Sequence, residues 1–341
     1  MNQKASFGSA VEELSGYDSS NLSPDILQSK QPFVLKGFCK EWPAVRAGEK
    51  SDADALEYIQ QQYARVPVTT CLLPAKEKGR VFYNTEMTGF NFTANLESFG
   101  TFCKLLLNES FSSDPRGVYM PSTDATTWFP GLDKDNNAGI DYLDPIKLIW
   151  IGNKTRIAAH YDFTSNLACC FTGGRKFTLF PPEQIANLYP GPLEFAPGGQ
   201  EISLVDFSNP DLERFPRFSE AMKVAKVAEL AAGDALFLPG MWWHHVEGLD
   251  AVNVLYTHWW RESPAHLGRP SNALLHAVLG LRSLPQEQRE AWKAIFDYYV
   301  FNYHETDLQN IGESARGMLN TPIDEKHANI LRELLVKRLD K

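Results

Sequence analysis

Residues 156–182 read RIAAHYDFTSNLACCFTGGRKFTLFPP: three short apolar stretches parted by polar and Gly-Gly breaks and closed by Pro181-Pro182. Pieces of this length, bounded by Gly, Pro, Asp or Asn, read as strands and not helices. Working outward, the same style continues upstream in GVYM (117–120) and IKLIWIG (146–152). Downstream it continues in DALFLPG (234–240), WWHHV (242–246) and NVLYTHWW (253–260). Many short strands with turn signals imply a sandwich or barrel, not a parallel βαβ sheet. Residues 183–226 interrupt the series with LYPGPLEFAPGG and the polar NPDLERFPRFSEA, and read as a long surface insert between two strands.

The flanks differ from this centre. Residues 1–30 are polar and weakly patterned, an expected arm with one short helix. PFVLKGFCKEWPAV (32–45) is strand-like until Gly37 and is closed by Trp42-Pro43. Residues 52–64 have helical spacing from an Asp cap, and residues 95–110 predict a second helix. Beyond Pro264 the pattern turns helical: SNALLHAVLGLRSL from a Ser cap, PQEQREAWKAIFDYYVF from a Pro, and DEKHANILRELLVKRL. Ala273, Leu274, Ala277, Val278 and Leu281 recur at three and four, which gives this appendix an apolar face. The division expected is an arm over 1–30, one large domain over 31–264 and a helical region over 265–341.

The 341 residues are 43% hydrophobic and 12% aromatic, enough for a sizeable core. A net charge of −9 repels a polyanion, so nucleic acid is a poor partner. No basic start leads into an apolar run, and no stretch is apolar enough to span a bilayer. Cys39, Cys71, Cys103, Cys169 and Cys170 are scattered and odd in number. They read as small core residues in a reducing compartment, and a cytoplasmic protein is expected.

His160-Tyr161-Asp162 places an imidazole and a carboxylate two residues apart. On a strand both point the same way and can chelate one ion. Two His and one carboxylate on one face of a metal, with three positions left open, is the iron(II) oxygenase arrangement. The third ligand must come from another strand, and PGMWWHHV offers His244 and His245. Adjacent strand residues face opposite sides, so only one can ligate, and the alternation alone does not choose. A lone H-x-D triplet is also compatible with a hydrogen-bonded pair at a strand end.

HYDFTSN, GGRKFTLFPP, GDALFLPGMWWHHV and NVLYTHWW together resemble the Jumonji-C oxygenases. The nearest branch in motif is the asparaginyl hydroxylase of hypoxia-inducible factor with its bacterial cupin-like relatives. PFVLKGFCKEWPAV is similar to that family's opening motif, and NPDLERFPRF to its insert before the distal histidine. The resemblance spans roughly residues 30–262.

The resemblance implies a fold: a double-stranded β-helix, or jelly-roll cupin-like barrel, with N-terminal helices and a C-terminal helical appendix. It implies iron(II) on His160, Asp162 and His244, the first His after the double Trp being the family's ligand. It implies 2-oxoglutarate with its far carboxylate on Arg175, Lys176 being the alternative if the register slips by one. Tyr119 and Asn166 fall on positions that touch the co-substrate. Two departures stand out. Ile157 replaces a Thr, whose place Thr155 is expected to take, and His258 replaces an Asn near the metal, where it is expected to bind the co-substrate, to orient Asp162 or to fill the barrel mouth. Trp260 matches a Trp beside the metal, although Trp259 and Trp260 also read as plain core.

The implied activity uses O₂ and 2-oxoglutarate, releases succinate and CO₂, and hydroxylates a C–H bond. A protein or peptide side chain is the favoured substrate, ahead of a small metabolite or a modified tRNA base. The rivals are a metal-binding cupin without 2-oxoglutarate chemistry and a cupin isomerase or dioxygenase. The apolar face of the C-terminal helices either packs on the barrel as a lid or forms a subunit contact, and the resemblance favours the contact, a homodimer.

Overall fold

The computed structural model describes residues 7–339, in two compact units, one running to Arg261 and one from Glu262. Eight strands form the centre of the first unit: β1 Ile146–Gly152, β2 Arg156–His160, β3 Ser165–Thr172, β4 Arg175–Phe180, β5 Lys226–Leu230, β6 Ala235–Leu238, β7 Trp243–Gly248 and β8 Asn253–Trp260. They pair antiparallel in two sheets, β6-β3-β8-β1 and β5-β4-β7-β2. This is the expected jelly roll, built as two separately hydrogen-bonded sheets and not as a closed cylinder.

Alternation along these strands sorts the side chains. Ala168, Cys170, Leu236, Leu238 and Leu255 of the first sheet meet Phe177, Leu179, Ala228, Leu230 and Val246 of the second. Leu167, Cys169, Phe171, Val254 and Tyr256 face the other way, under a layer containing Leu56, Phe99, Phe102 and Leu106. That layer comes from helices Asp52–Gln61 and Phe99–Glu109. The first is capped by Ser51, whose side chain accepts from the Asp54 N–H at 3.0 Å, one residue before the expected Asp cap.

Three expectations need correction. The N-terminal arm is a part of both sheets: Ser9–Ala10 pairs parallel with β5, and Glu12–Ser15 with the strand Phe33–Lys36 that borders β6. The segment 183–226 does lie between two strands, β4 and β5, but it is more than a surface loop. Leu188, Val205, Phe207, Phe215 and Phe218 pack on Phe180 and Trp243, covering the outer face of the second sheet. The helix at 270 begins with Pro270 in its first turn and not at a Ser cap.

In the second unit, helices Pro270–Leu281, Gln286–Phe296 and Glu325–Leu339 and the helical turn Asp297–Phe301 leave much apolar surface uncovered, including Leu279, Tyr299, Val300, Phe301 and Val336. Among the described residues no helix is long and apolar enough to cross a membrane. All five cysteines are buried free thiols.

Candidate metal centre and the cavity behind it

β2 ends at His160, and antiparallel pairing sets His160 directly across from His244 on β7. The two rings lie 4.3 Å apart between centroids. Asp162, just past the strand, brings Oδ2 to 3.5 Å from His244 Nε2. One ligand atom from each of the three lies within 4.8 Å of the others. His160 Nδ1 is 2.9 Å from the Ala158 carbonyl, and His244 Nδ1 is 3.0 Å from that of Trp242. A carbonyl only accepts, so each Nδ1 carries the proton and each Nε2 keeps its lone pair for a metal. Burial, with His160 adding to it, lowers the His244 pKa to about 3, so that ring is neutral. Burial raises the Asp162 pKa, while His160 opposes it.

The Asp162 carboxylate is aimed by contacts from elsewhere in the chain. Its backbone carbonyl accepts from the Met241 N–H at 2.6 Å, which ties the turn before β7 to the H-x-D segment. Met241 adopts φ 70° to do so, the left-handed region that costs a side-chain-bearing residue. Asp162 Oδ1 accepts from Gln200 Nε2 at 2.6 Å.

Behind this cluster lies a cavity between the sheets. His160, Asp162 and His244 stand on its wall, together with Arg175, Asn166, Tyr119, Ile157 and Thr257, and Phe177, Val246 and Leu255 make apolar wall. Arg175 is 2% exposed. Among the described residues it has no carboxylate partner; its Nη2 lies 3.5 and 3.4 Å from the Trp150 and Asn253 carbonyls, and its Nε has no acceptor. Burial lowers its pKa, countered by Cys170 and Tyr119. Burial likewise raises the Tyr119 pKa, with Arg175 opposing. Asn166 Oδ1 is also buried without a partner. A buried guanidinium and a buried amide oxygen left open are costly unless a ligand meets them.

The structure therefore gathers His160, Asp162, His244, Arg175, Asn166 and Tyr119 around one cavity. It does not bring in Thr155 or His258. Thr155 sits in the tight turn before β2, its hydroxyl 3.4 Å from the Asn153 carbonyl, so strand alternation does not extend to it. On β8, Leu255, Thr257 and Trp259 face the cavity, so His258 points to the opposite side. There its ring packs on Tyr256 at 4.7 Å, and its Nδ1 is 3.3 Å from the Leu167 carbonyl. The same alternation puts Trp259, not Trp260, beside the site; Trp260 belongs to the outer core.

Lys176 faces out toward Glu247 at 3.9 Å. His245 also faces out, against the Phe207 ring at 4.8 Å. Sequence reasoning missed Thr257, whose hydroxyl receives the Trp150 indole N–H at 3.0 Å, and it missed Gln200. No alternation of apolar and polar residues marks Thr257 on β8, which is buried on both faces, and nothing periodic marks Gln200 inside the 183–226 segment.

Residues 19–266 match the family model for a cupin-like domain. The chain belongs to the cupin-like, Jumonji-C family. Among curated relatives it is 34% identical over 260 residues to the lysine-specific demethylase JMJ31 of Arabidopsis thaliana, covering 68% of this chain and 46% of the relative. It is 35% identical over 149 residues to HSPB1-associated protein 1 of Homo sapiens, covering 42% and 30%. It is 30% identical over 145 residues to the tRNA wybutosine-synthesizing protein 5 of Gallus gallus, covering 38% and 43%. The chain spans less than half the length of each of these relatives.

Proposed function

We propose that this chain is an iron(II)- and 2-oxoglutarate-dependent oxygenase that hydroxylates a C–H bond of a protein side chain. One observation carries the reading: one ligand atom each from His160, Asp162 and His244 lies within 4.8 Å of the others, and a buried Arg175, without a carboxylate partner among the described residues, shares their cavity.

The residues fit the metal. The donor set of two His and one Asp suits iron(II), and both imidazoles are locked in the tautomer that ligates. Iron(II), when bound, supplies the activation of O₂ at the expense of 2-oxoglutarate, which leaves as succinate and CO₂. The chain's own residues do the rest. Arg175 holds the far carboxylate of 2-oxoglutarate with its planar fork. Asn166 and Tyr119 supply polar contacts along the co-substrate, and Thr257 stands on the same wall where Thr155 was expected. Phe177, Val246, Leu255 and Trp259 exclude water, so that charge interactions inside are strengthened.

A protein substrate is supported by two relatives, one named as a lysine-specific demethylase and one as an HSPB1-associated protein. Demethylation begins with the same hydroxylation, on an N-methyl group. The tRNA-directed relative suggests a nucleic-acid substrate, but the net charge of −9 disfavours one here. The buried free thiols fit a reducing, cytoplasmic setting. The exposed apolar face of the C-terminal helices fits a homodimer.

The test is an assay without substrate: purified protein, iron(II) and 2-oxoglutarate under air, with succinate measured. Succinate formed by the parent chain and lost in Asp162→Ala supports the proposal. No succinate, with 2-oxoglutarate unbound, would favour a metal-binding cupin of other function.

A further inference from the structure

Gln200 reaches the Asp162 carboxylate from outside the sheets, and the residues that follow it are held to the fold. The Ser203 N–H donates to the Ala159 carbonyl at 2.7 Å, so this segment runs beside the H-x-D strand. Tyr161 donates its hydroxyl to Glu201 Oε1 at 2.6 Å. The Gly191 N–H donates to the Ile202 carbonyl at 2.9 Å, the Leu204 N–H to that of Tyr189 at 3.0 Å, and Ser203 Oγ to that of Leu188 at 2.5 Å. Residues 202–204 are thus pinned through their backbone, and Glu201 through its side chain, directly after Gln200. The amide that reaches Asp162 Oδ1 at 2.6 Å stands directly before this held stretch.

The two carboxylate oxygens of Asp162 consequently have different surroundings. Oδ2 faces the histidines, 3.5 Å from His244 Nε2, and Oδ1 is taken by Gln200. We infer that Gln200 is a positioning residue that reserves Oδ1 and so makes Asp162 a one-oxygen ligand. This rests on the metal reading above and deepens it. A carboxylate that chelated through both oxygens would fill one of the three positions that co-substrate and O₂ need. A hydrogen bond to one oxygen prevents this and fixes the carboxylate rotamer, as outer partners of metal ligands commonly do.

Cobalt(II) is a suitable probe, because its visible absorption reports coordination number without turnover. Anaerobic titration of the parent chain, Gln200→Ala and Gln200→Glu with cobalt gives an affinity and a spectrum for each. Gln200→Glu keeps the shape of the side chain but removes the N–H donor. The expected result is a spectrum altered from the parent's in both variants, and a cobalt affinity lowered about tenfold in Gln200→Ala. Circular dichroism of both variants should match the parent, since Gln200 is only partly buried. Parent-like spectra and affinities in both variants overturn the inference alone. Failure of the parent to bind cobalt overturns the metal reading and this inference with it.

Discussion

Replacing Arg175 by Met separates what this residue does for the fold from what it does for the co-substrate. In the free chain Arg175 is a buried cation, 2% exposed, with two long contacts to carbonyls and an unmatched Nε. Exchanging an uncompensated buried charge for an apolar side chain of similar volume is neutral or stabilising. Arg175→Met should therefore melt no lower than the parent when both lack 2-oxoglutarate.

With 2-oxoglutarate present the sign reverses. Stripping a buried carboxylate of its charged partner costs about 3–5 kcal/mol. At 1.4 kcal/mol per tenfold, that weakens binding by roughly two to three and a half powers of ten. At a 2-oxoglutarate concentration a hundredfold above the parent's dissociation constant, the parent gains about 2.7 kcal/mol of stability. The variant gains almost nothing at that concentration. Thermal melts with manganese(II), with and without 2-oxoglutarate, read both effects, and succinate formation gives the matching rise in apparent KM. Lys176→Ala is the control: its partner Glu247 is 3.9 Å away and its side chain is 30% exposed, so the loss is under about 1 kcal/mol. A Lys176→Ala variant that loses 2-oxoglutarate binding while Arg175→Met keeps it would refute the assignment.

Alanine at His160, Asp162 or His244 should abolish iron binding in anaerobic titration, whereas His245→Ala should bind iron normally and lose stability, because His245 packs on Phe207; the reverse pattern would exchange the two histidines. The intact chain should scatter light as a dimer at micromolar concentration and a chain ending near residue 268 as a monomer, given the exposure of Leu279, Tyr299, Phe301 and Val336; a monomeric intact chain sinks the dimer. His258 is neutral in the fold, since burial holds its pKa near 4, and it takes up a proton near 6.5 on unfolding. Its stabilising contribution is therefore complete above pH 6.5 and falls by about 3 kcal/mol toward pH 4. Melting temperatures across that range should decline less steeply in His258→Gln than in the parent, and equal slopes would contradict this.

What the sequence made legible depended on whether a strand had one wet face. Seven of the eight strands were visible because Gly, Pro, Asn and Asp punctuate most of their ends. The facing of individual residues in WWHHV and NVLYTHWW was not, because both sheets are buried on both sides. Trp243 and His245 lie under Phe180 and Phe207, and Tyr256 and Trp260 lie under the helical layer. Alternating apolar and polar residues is the signal that reports facing, and two buried faces erase it. This is why the resemblance, and not the pattern, chose His244, and why His258 was placed on the wrong side. β5 was hidden for another reason: KVAEL follows a helix without a break, and Lys226 and Glu229 dilute its pattern. The parallel edge pairings of the arm form through backbone groups, which leave no side-chain signature.

The H-x-D pair shows the same boundary from within the site. Its spacing implied one continuous strand carrying both ligands, yet β2 stops at His160 and Asp162 lies beyond it. The imidazole is aimed by strand geometry, through the cross-strand pairing with His244. The carboxylate is aimed by the Met241 N–H on its backbone and the Gln200 amide on its side chain, both from distant parts of the chain. Local periodicity encodes the first kind of positioning. The second is encoded in how the 183–226 segment and the turn before β7 fold back onto the strand end, and substitutions there should change the metal's ligand geometry without touching any ligand.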